Sequence, residues 1–159
     1  MIRVASFRVH QHDPLGFLIQ AETRGPYTHS ALEIDRGSRT IIEAYYPTVR
    51  KRVLDPAEVS GIDFFKIRGL TDEHEQRILA FGNHAIEVHE AYSISDLFRF
   101  NPFFRLFLGE TTDVSKSAFC SMFAKLAIES SGLVLLNAHA YEVDPYRLTW
   151  SPLLEKDEP

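Results

Sequence analysis

The spacing of hydrophobic and polar positions changes several times along the chain, and each change marks an element. Residues 2–9, IRVASFRV, alternate as a half-buried strand does. Asp13 followed by Pro14 is a helix start, an N-cap with proline at the first helical position. It predicts a short helix through PLGFLIQAE, ended by Gly25-Pro26. Two strand-like runs, THSALEI (28–34) and SRTIIEAYY (38–46), flank Asp35-Arg36-Gly37. A three-residue loop with glycine last predicts a hairpin closed by a left-handed residue. Pairing Ile34 with Ser38 sets His29 directly opposite Glu43, and a slip of one residue would send the two to opposite faces. GIDFFKIRG (61–69) predicts a third strand.

Helical spacing takes over at Thr71, a cap ahead of an acidic first turn, and carries Ile78, Phe81, Ala85, Val88 and Tyr92 on one face. The phenylalanine-rich residues 93–110 are interrupted at Asn101-Pro102 and predict two short helical pieces. In SAFCSMFAKLAIESSG (117–132), Ser117 reads as the N-cap and Cys120 as the third helical residue. Phe119, Met122, Phe123, Leu126 and Ala127 form the buried stripe, and Gly132 stops the helix. LVLLN and AYEVDP read as extended, and DPYRLTWSP as a turn, a short helical piece and a proline stop. No repeat or linker divides the chain, so one domain over 1–159 is expected.

Composition narrows the classes of function. With 45% hydrophobic and 25% charged residues the chain is globular rather than disordered or fibrous. A net charge of −5 argues against a non-specific grip on nucleic acid, and Arg50-Lys51-Arg52 reads as a solvated patch on a turn. No run reaches the ~18 apolar residues that span a bilayer, and no integral membrane segment is expected. The N-terminus lacks an apolar signal core and an A-x-A cleavage site, so the expected compartment is the cytoplasm. A single cysteine excludes an internal disulfide and a multi-cysteine zinc site.

That cysteine, Cys120, carries two readings. Free cysteine is among the most buried residue types, so it reads as core. It also falls in a helix's first turn, where unpaired N–H groups and the dipole favour a thiolate. Seven histidines are candidate bases. His74, His84 and His89 belong to the long helix and read as surface or boundary residues, and His139 has no evident partner. His10 and His12 share a face of a strand, but a third metal ligand is lacking, so no metal or other cofactor is expected. His29 differs, because the hairpin register gives it a carboxylate neighbour that would fix its tautomer. Without the cysteine, the same pair would read as a structural His–Glu contact.

The order of these elements resembles the circularly permuted papain-like fold. YTHSALEI, then TIIEAYY, then FCSMFAKLAIESSG before YEVDPYRLTWSPLLE is most similar to the YiiX-like branch of the NlpC/P60 superfamily of cysteine peptidases. There the histidine strand precedes the cysteine helix, the reverse of papain order. The resemblance spans about residues 14–154 and matches the family's base to His29, its nucleophile to Cys120 and its polar third residue to Glu43. Lecithin:retinol acyltransferase-like relatives share the permutation but carry Asn-Cys-Glu-His at the nucleophile, where this chain has FCSM. The N-terminus departs from the family in lacking a Gly-Asp start.

The resemblance implies an α+β permuted papain-like domain with a small antiparallel sheet packed against the nucleophile helix. It implies a cysteine amidase or peptidase with a Cys120–His29–Glu43 triad, acting on a small peptide-like amide such as a cell-wall-derived peptide. Tyr27 would line the cleft or be structural. A thiol acyltransferase or lipid thioesterase on the same scaffold is the alternative, with Phe98, Phe100, Phe103, Phe104 and Phe107 as an acyl site. A binding module with a degenerate triad is a further one. Oligomeric state is left open by the sequence.

Overall fold

Alternation in the first residues delivers a strand, β1 (Arg3–Arg8), buried along all but its last position. In the protein's structure, a computed structural model, residues 1–8, 20, 23–92 and 117–158 are described. The expected helix over 14–22 and the phenylalanine-rich pieces lie outside the described residues. β2 (Tyr27–Asp35) and β3 (Thr40–Tyr45) form the expected hairpin, and β5 (Ile62–Ile67) the expected third strand. A strand absent from the sequence reading, β4 (Thr48–Val53), follows the cis Tyr46–Pro47 bond. Between β4 and β5 lies α1 (Pro56–Val59), one capped turn.

α2 (Asp72–Glu87) starts at the Thr71 cap, as the acidic first turn predicts, but ends sooner than its apolar spacing suggests. Val88 is its C-cap and is 55% exposed, and His89 turns the chain with φ 52°. Tyr92 then belongs to β6 (Ala91–Tyr92) instead of the helix. β7 (Ser117–Ala118) leads into α3 (Cys120–Glu129). Ser117 is therefore a strand residue, Phe119 is the N-cap, and Cys120 is the first helical residue, two positions earlier than the sequence reading placed it. Gly132, with φ 101°, ends this segment as expected. AYEVDP is not extended: it holds a 3₁₀ turn (Ala140–Glu142) and the Asp144 cap of α4 (Pro145–Leu148), before the last strand β8 (Leu154–Asp157).

The fold is mixed α+β, and its sheet is larger than the small one expected. Eight described strands run in the order β7-β6-β4-β3-β2-β1-β5-β8, every neighbouring pair antiparallel except β6 with β7. Thr48 pairs with Ala91 and Ala91 with Ser117, which delivers the chain into α3 beside the β3–β4 turn.

Two cores flank this sheet. The larger gathers Val4, Leu32, Ile42, Ala44 and Phe65 with α2, α3 and α4. The smaller gathers Ala5, Phe7, Ala31, Ile41, Leu54, Ile62 and Phe64. α3 packs on β2, β3, α2, α4 and the 3₁₀ turn and is buried nearly all round, Lys125 included. Its N-cap makes no side-chain hydrogen bond. A cap is worth about 1 kcal/mol, whereas each large apolar side chain fully buried contributes ~1.5–3 kcal/mol. Phe119, Met122, Phe123 and Ile128, all fully buried, therefore fix where the helix begins.

Candidate active site

β1 and β2 pair from Arg3↔Glu33 to Phe7↔His29, after which the register shifts so that Arg8 meets Tyr27. Thr28 is the extra residue of this bulge. Bulges re-aim the side chains on either side of them, and this one separates two residues that alternation would put on one face. His29 goes with Phe7, its ring 5.0 Å away, beside the smaller core. Tyr27 goes into the larger core, against Phe65 and Tyr146. Its hydroxyl donates to Asp63 Oδ2 at 2.8 Å, and that bond with burial pushes its pKa well up. Tyr27 is thereby buried, 7% exposed, on the other side of the sheet from Phe7.

The hairpin register differs from the one expected. Leu32 pairs with Ile42 and Glu33 with Ile41, and a bulge then brings Asp35 to Thr40. The connection is longer than three residues, and the left-handed position is Arg39, φ 54°, not Gly37. Continued along the strands, this register sets His29 against Tyr45 and makes Glu43 its diagonal neighbour. A slip of two residues preserves the face, and a glutamate reaches a diagonal neighbour. His29 Nε2 and Glu43 Oε2 are 2.8 Å apart.

Glu43 has no exposed surface, and its charge is met from three sides. Oε2 faces His29, while Oε1 accepts from Arg50 Nε and Arg52 Nε, each at 2.8 Å. Arg52 also donates to both oxygens of Glu58, at 2.7 and 3.1 Å. Burial acts to raise the Glu43 pKa, but the bond and charge of His29, followed by those of Arg52, hold it down at about 2. The sequence reading missed both arginines. The residues it took for a solvated turn form strand β4, where Arg50 sits opposite Glu43 and Arg52 opposite Ile41, one diagonal away. The signal available was the two-residue spacing of the arginines after Tyr-Pro.

Cys120 is fully buried at the first position of α3. Its sulfur lies near enough to His29 to act on the titration of the ring. Glu43 holds Nε2 of the same ring. Burial favours the neutral ring, but the charge and hydrogen bond of Cys120, followed by those of Glu43, outweigh it and push the His29 pKa up to about 10. The imidazole thus lies between a sulfur at a helix start and a carboxylate held ionised. Such an arrangement suits a thiolate–imidazolium pair.

The other histidines lie apart. His74 accepts from Thr71 N at the start of α2, His84 is in its last turn, and His139 stacks on Tyr141. His10 and His12 lie outside the described residues. Among the described residues, no three His, Cys, Asp or Glu side chains gather as a metal site requires. No described helix is long and apolar enough to cross a membrane. The chain matches no family model and none of the curated proteins it was compared with.

Proposed function

We propose that the protein is a cysteine hydrolase with a permuted papain-like, YiiX-like NlpC/P60 architecture, cleaving a small amide or peptide-like substrate. The observation that carries this reading is the position of His29, joined to Cys120 on one side and to Glu43 on the other. A histidine paired with glutamate alone would be a structural contact. A sulfur beside the ring gives it a proton to hold and to deliver.

His29 takes the Cys120 proton, which gives a thiolate beside an imidazolium. The sulfur attacks the carbonyl carbon, and the oxygen takes up the negative charge beside the backbone N–H of Cys120 at the helix start. His29 gives its proton to the leaving nitrogen as the C–N bond breaks, which leaves a thioester and a neutral ring. Water then attacks the thioester while His29 takes its proton. The C–S bond breaks, and the sulfur departs as a thiolate beside the restored imidazolium. Glu43 keeps the ring oriented and favours its charged form. Because the sulfur is buried and the His29 side chain is 16% exposed, the acyl group reaches it past the ring.

The test is acylation of Cys120 by p-nitrophenyl acetate, read by intact mass. An acetyl adduct should form and decay in the wild type, form slowly in His29→Ala and be missing in Cys120→Ala. A folded wild type that never acquires it would defeat the proposal. The burial of Cys120 favours a second reading, transfer of the acyl group to an amine or alcohol in place of water. Decay of the adduct that requires an added acceptor such as hydroxylamine would select it.

A further inference from the structure

Three cations converge on the single charge of Glu43, and they are not equally provided for. His29 has Oε2 and the sulfur, and Arg52 has Oε1 together with both oxygens of Glu58. Arg50 directs Nε and Nη2 at the one oxygen Arg52 already uses, both at 2.8 Å. Its Nη1 has no partner among the described residues, and its side chain is 43% exposed. The guanidinium is nevertheless held still: it lies 4.0 Å above the ring of Tyr45. Tyr45 in turn meets the His29 ring edge-on at 5.9 Å and is 48% exposed. Beyond it Tyr46 is 61% exposed.

Resting on the cysteine-hydrolase reading, we infer that Arg50, braced by Glu43 and Tyr45, is the anion-binding subsite of this centre, and that its substrates carry a carboxylate beyond the scissile group. An arginine needed only to neutralise Glu43 would be redundant beside Arg52. One fixed at its Nε edge, stacked on an aromatic face and open at Nη1 is preorganised to receive an oxygen anion. Because the guanidinium is already immobilised, binding costs little of the side-chain entropy that a free surface arginine loses. Tyr45 offers the apolar surface along which the body of such a ligand lies between the guanidinium and the His29 ring.

The single cysteine allows a direct test with matched alkylating probes. Bromoacetylglycine, bromoacetyl-β-alanine and bromoacetyl-γ-aminobutyrate place a carboxylate at increasing distance from the carbon that Cys120 attacks. Each is compared with its own primary amide by the rate of mass gain at Cys120. Because both members of a pair react at the same sulfur, their rate ratio cancels changes in thiol reactivity. The inference expects one spacer at which the acid outruns its amide on the order of ten-fold or more, as a charge-assisted hydrogen bond predicts. The ratio should fall to near one in Arg50→Gln, recover in part in Arg50→Lys, and decline with added salt. A ratio near one at every length, or one that survives Arg50→Gln, overturns the inference and leaves the hydrolase reading standing. A folded wild type in which Cys120 reacts with none of the six probes sinks both.

Discussion

A buried carboxylate can assist an imidazole only while it stays ionised, and Glu43 does so because His29, Arg52 and Arg50 surround it. The three residues of the proposed triad should therefore fail in order when substituted. Cys120→Ala should abolish turnover, since no other described side chain at the site can form the covalent intermediate. His29→Ala should be nearly as severe. Glu43→Gln removes only the charge that favours the imidazolium, so its loss in kcat should fall at or below the ~10²–10⁴-fold range of positioned proton transfer. Glu43→Gln should also weaken the fold, by less than the ~3–5 kcal/mol of a fully buried pair, because Arg50 and Arg52 are 43% and 27% exposed and regain water. An active Cys120→Ala enzyme would refute the assignment. A second expectation concerns the ring itself. Its proton should persist through pH 8 and leave near 10, and Cys120→Ala should lower that value, since the sulfur is its largest raising influence. Imidazole NMR reads both, and a His29 that titrates near 6.5 in the wild type would show that the sulfur does not act on it.

At the scale of elements, what the sequence revealed depended on which features survive a small error. β2 and β3 were legible because their alternation is strong, and the meeting of His29 with Glu43 was legible because faces repeat every second residue. The register itself was not: a turn of Asp, Arg, Gly, Ser and Arg admits several loops, and the one adopted puts Arg39 in the left-handed region. β4 was hidden because three successive charged residues, Arg50, Lys51 and Arg52, fill its middle, and its partners β3 and β6 lie on either side in space. The start of α3 was misplaced because Ser117 resembles a cap, while buried Phe119 and Phe123 decide the boundary. Tyr27 was beyond reach, since nothing in YTHSALEI announces a bulge at Thr28. Gly25 matters at this scale as well. A β-carbon there would stand 2.3 Å from Tyr146 Cβ, so its bareness lets α4 seat against the start of β2. Gly25→Ala should cost ~1–3 kcal/mol as an overpacked site does, read by urea unfolding. A variant as stable as the wild type would mean that α4 shifts without cost.

At the scale of the whole molecule, the exposure of the described ion pairs decides how much they matter. Glu155 joins Lys66 and Arg68 in pairs that are 42–60% exposed, and such pairs contribute little. Glu43 is unexposed, and Asp63, 10% exposed, is held below the usual range against burial by Lys156, Tyr27 and Arg8. Asp144 and Glu90 oppose them, since burial raises both and their protonation favours the fold. Glu43 should therefore set the depth of acid unfolding. Its folded pKa, about 2, lies below the ordinary 4.5, so its stabilising effect is complete above pH 4.5 and is lost as pH falls through about 2. His29 has the opposite sign: raised from 6.5 to about 10, it contributes fully below pH 6.5 and loses that contribution as pH rises through about 10. Stability should thus be highest between pH 4.5 and 6.5 and decline on both sides. Unfolding free energies of the wild type and Glu43→Gln, measured by urea across this range, separate the two effects. Their difference should be widest on the plateau and close as pH falls from 4.5 toward 2, where the wild-type carboxyl is itself neutral. A difference that stays constant down to pH 2 would show that Glu43 stabilises the fold through its shape, and that the charge holding His29 and the two arginines together contributes nothing.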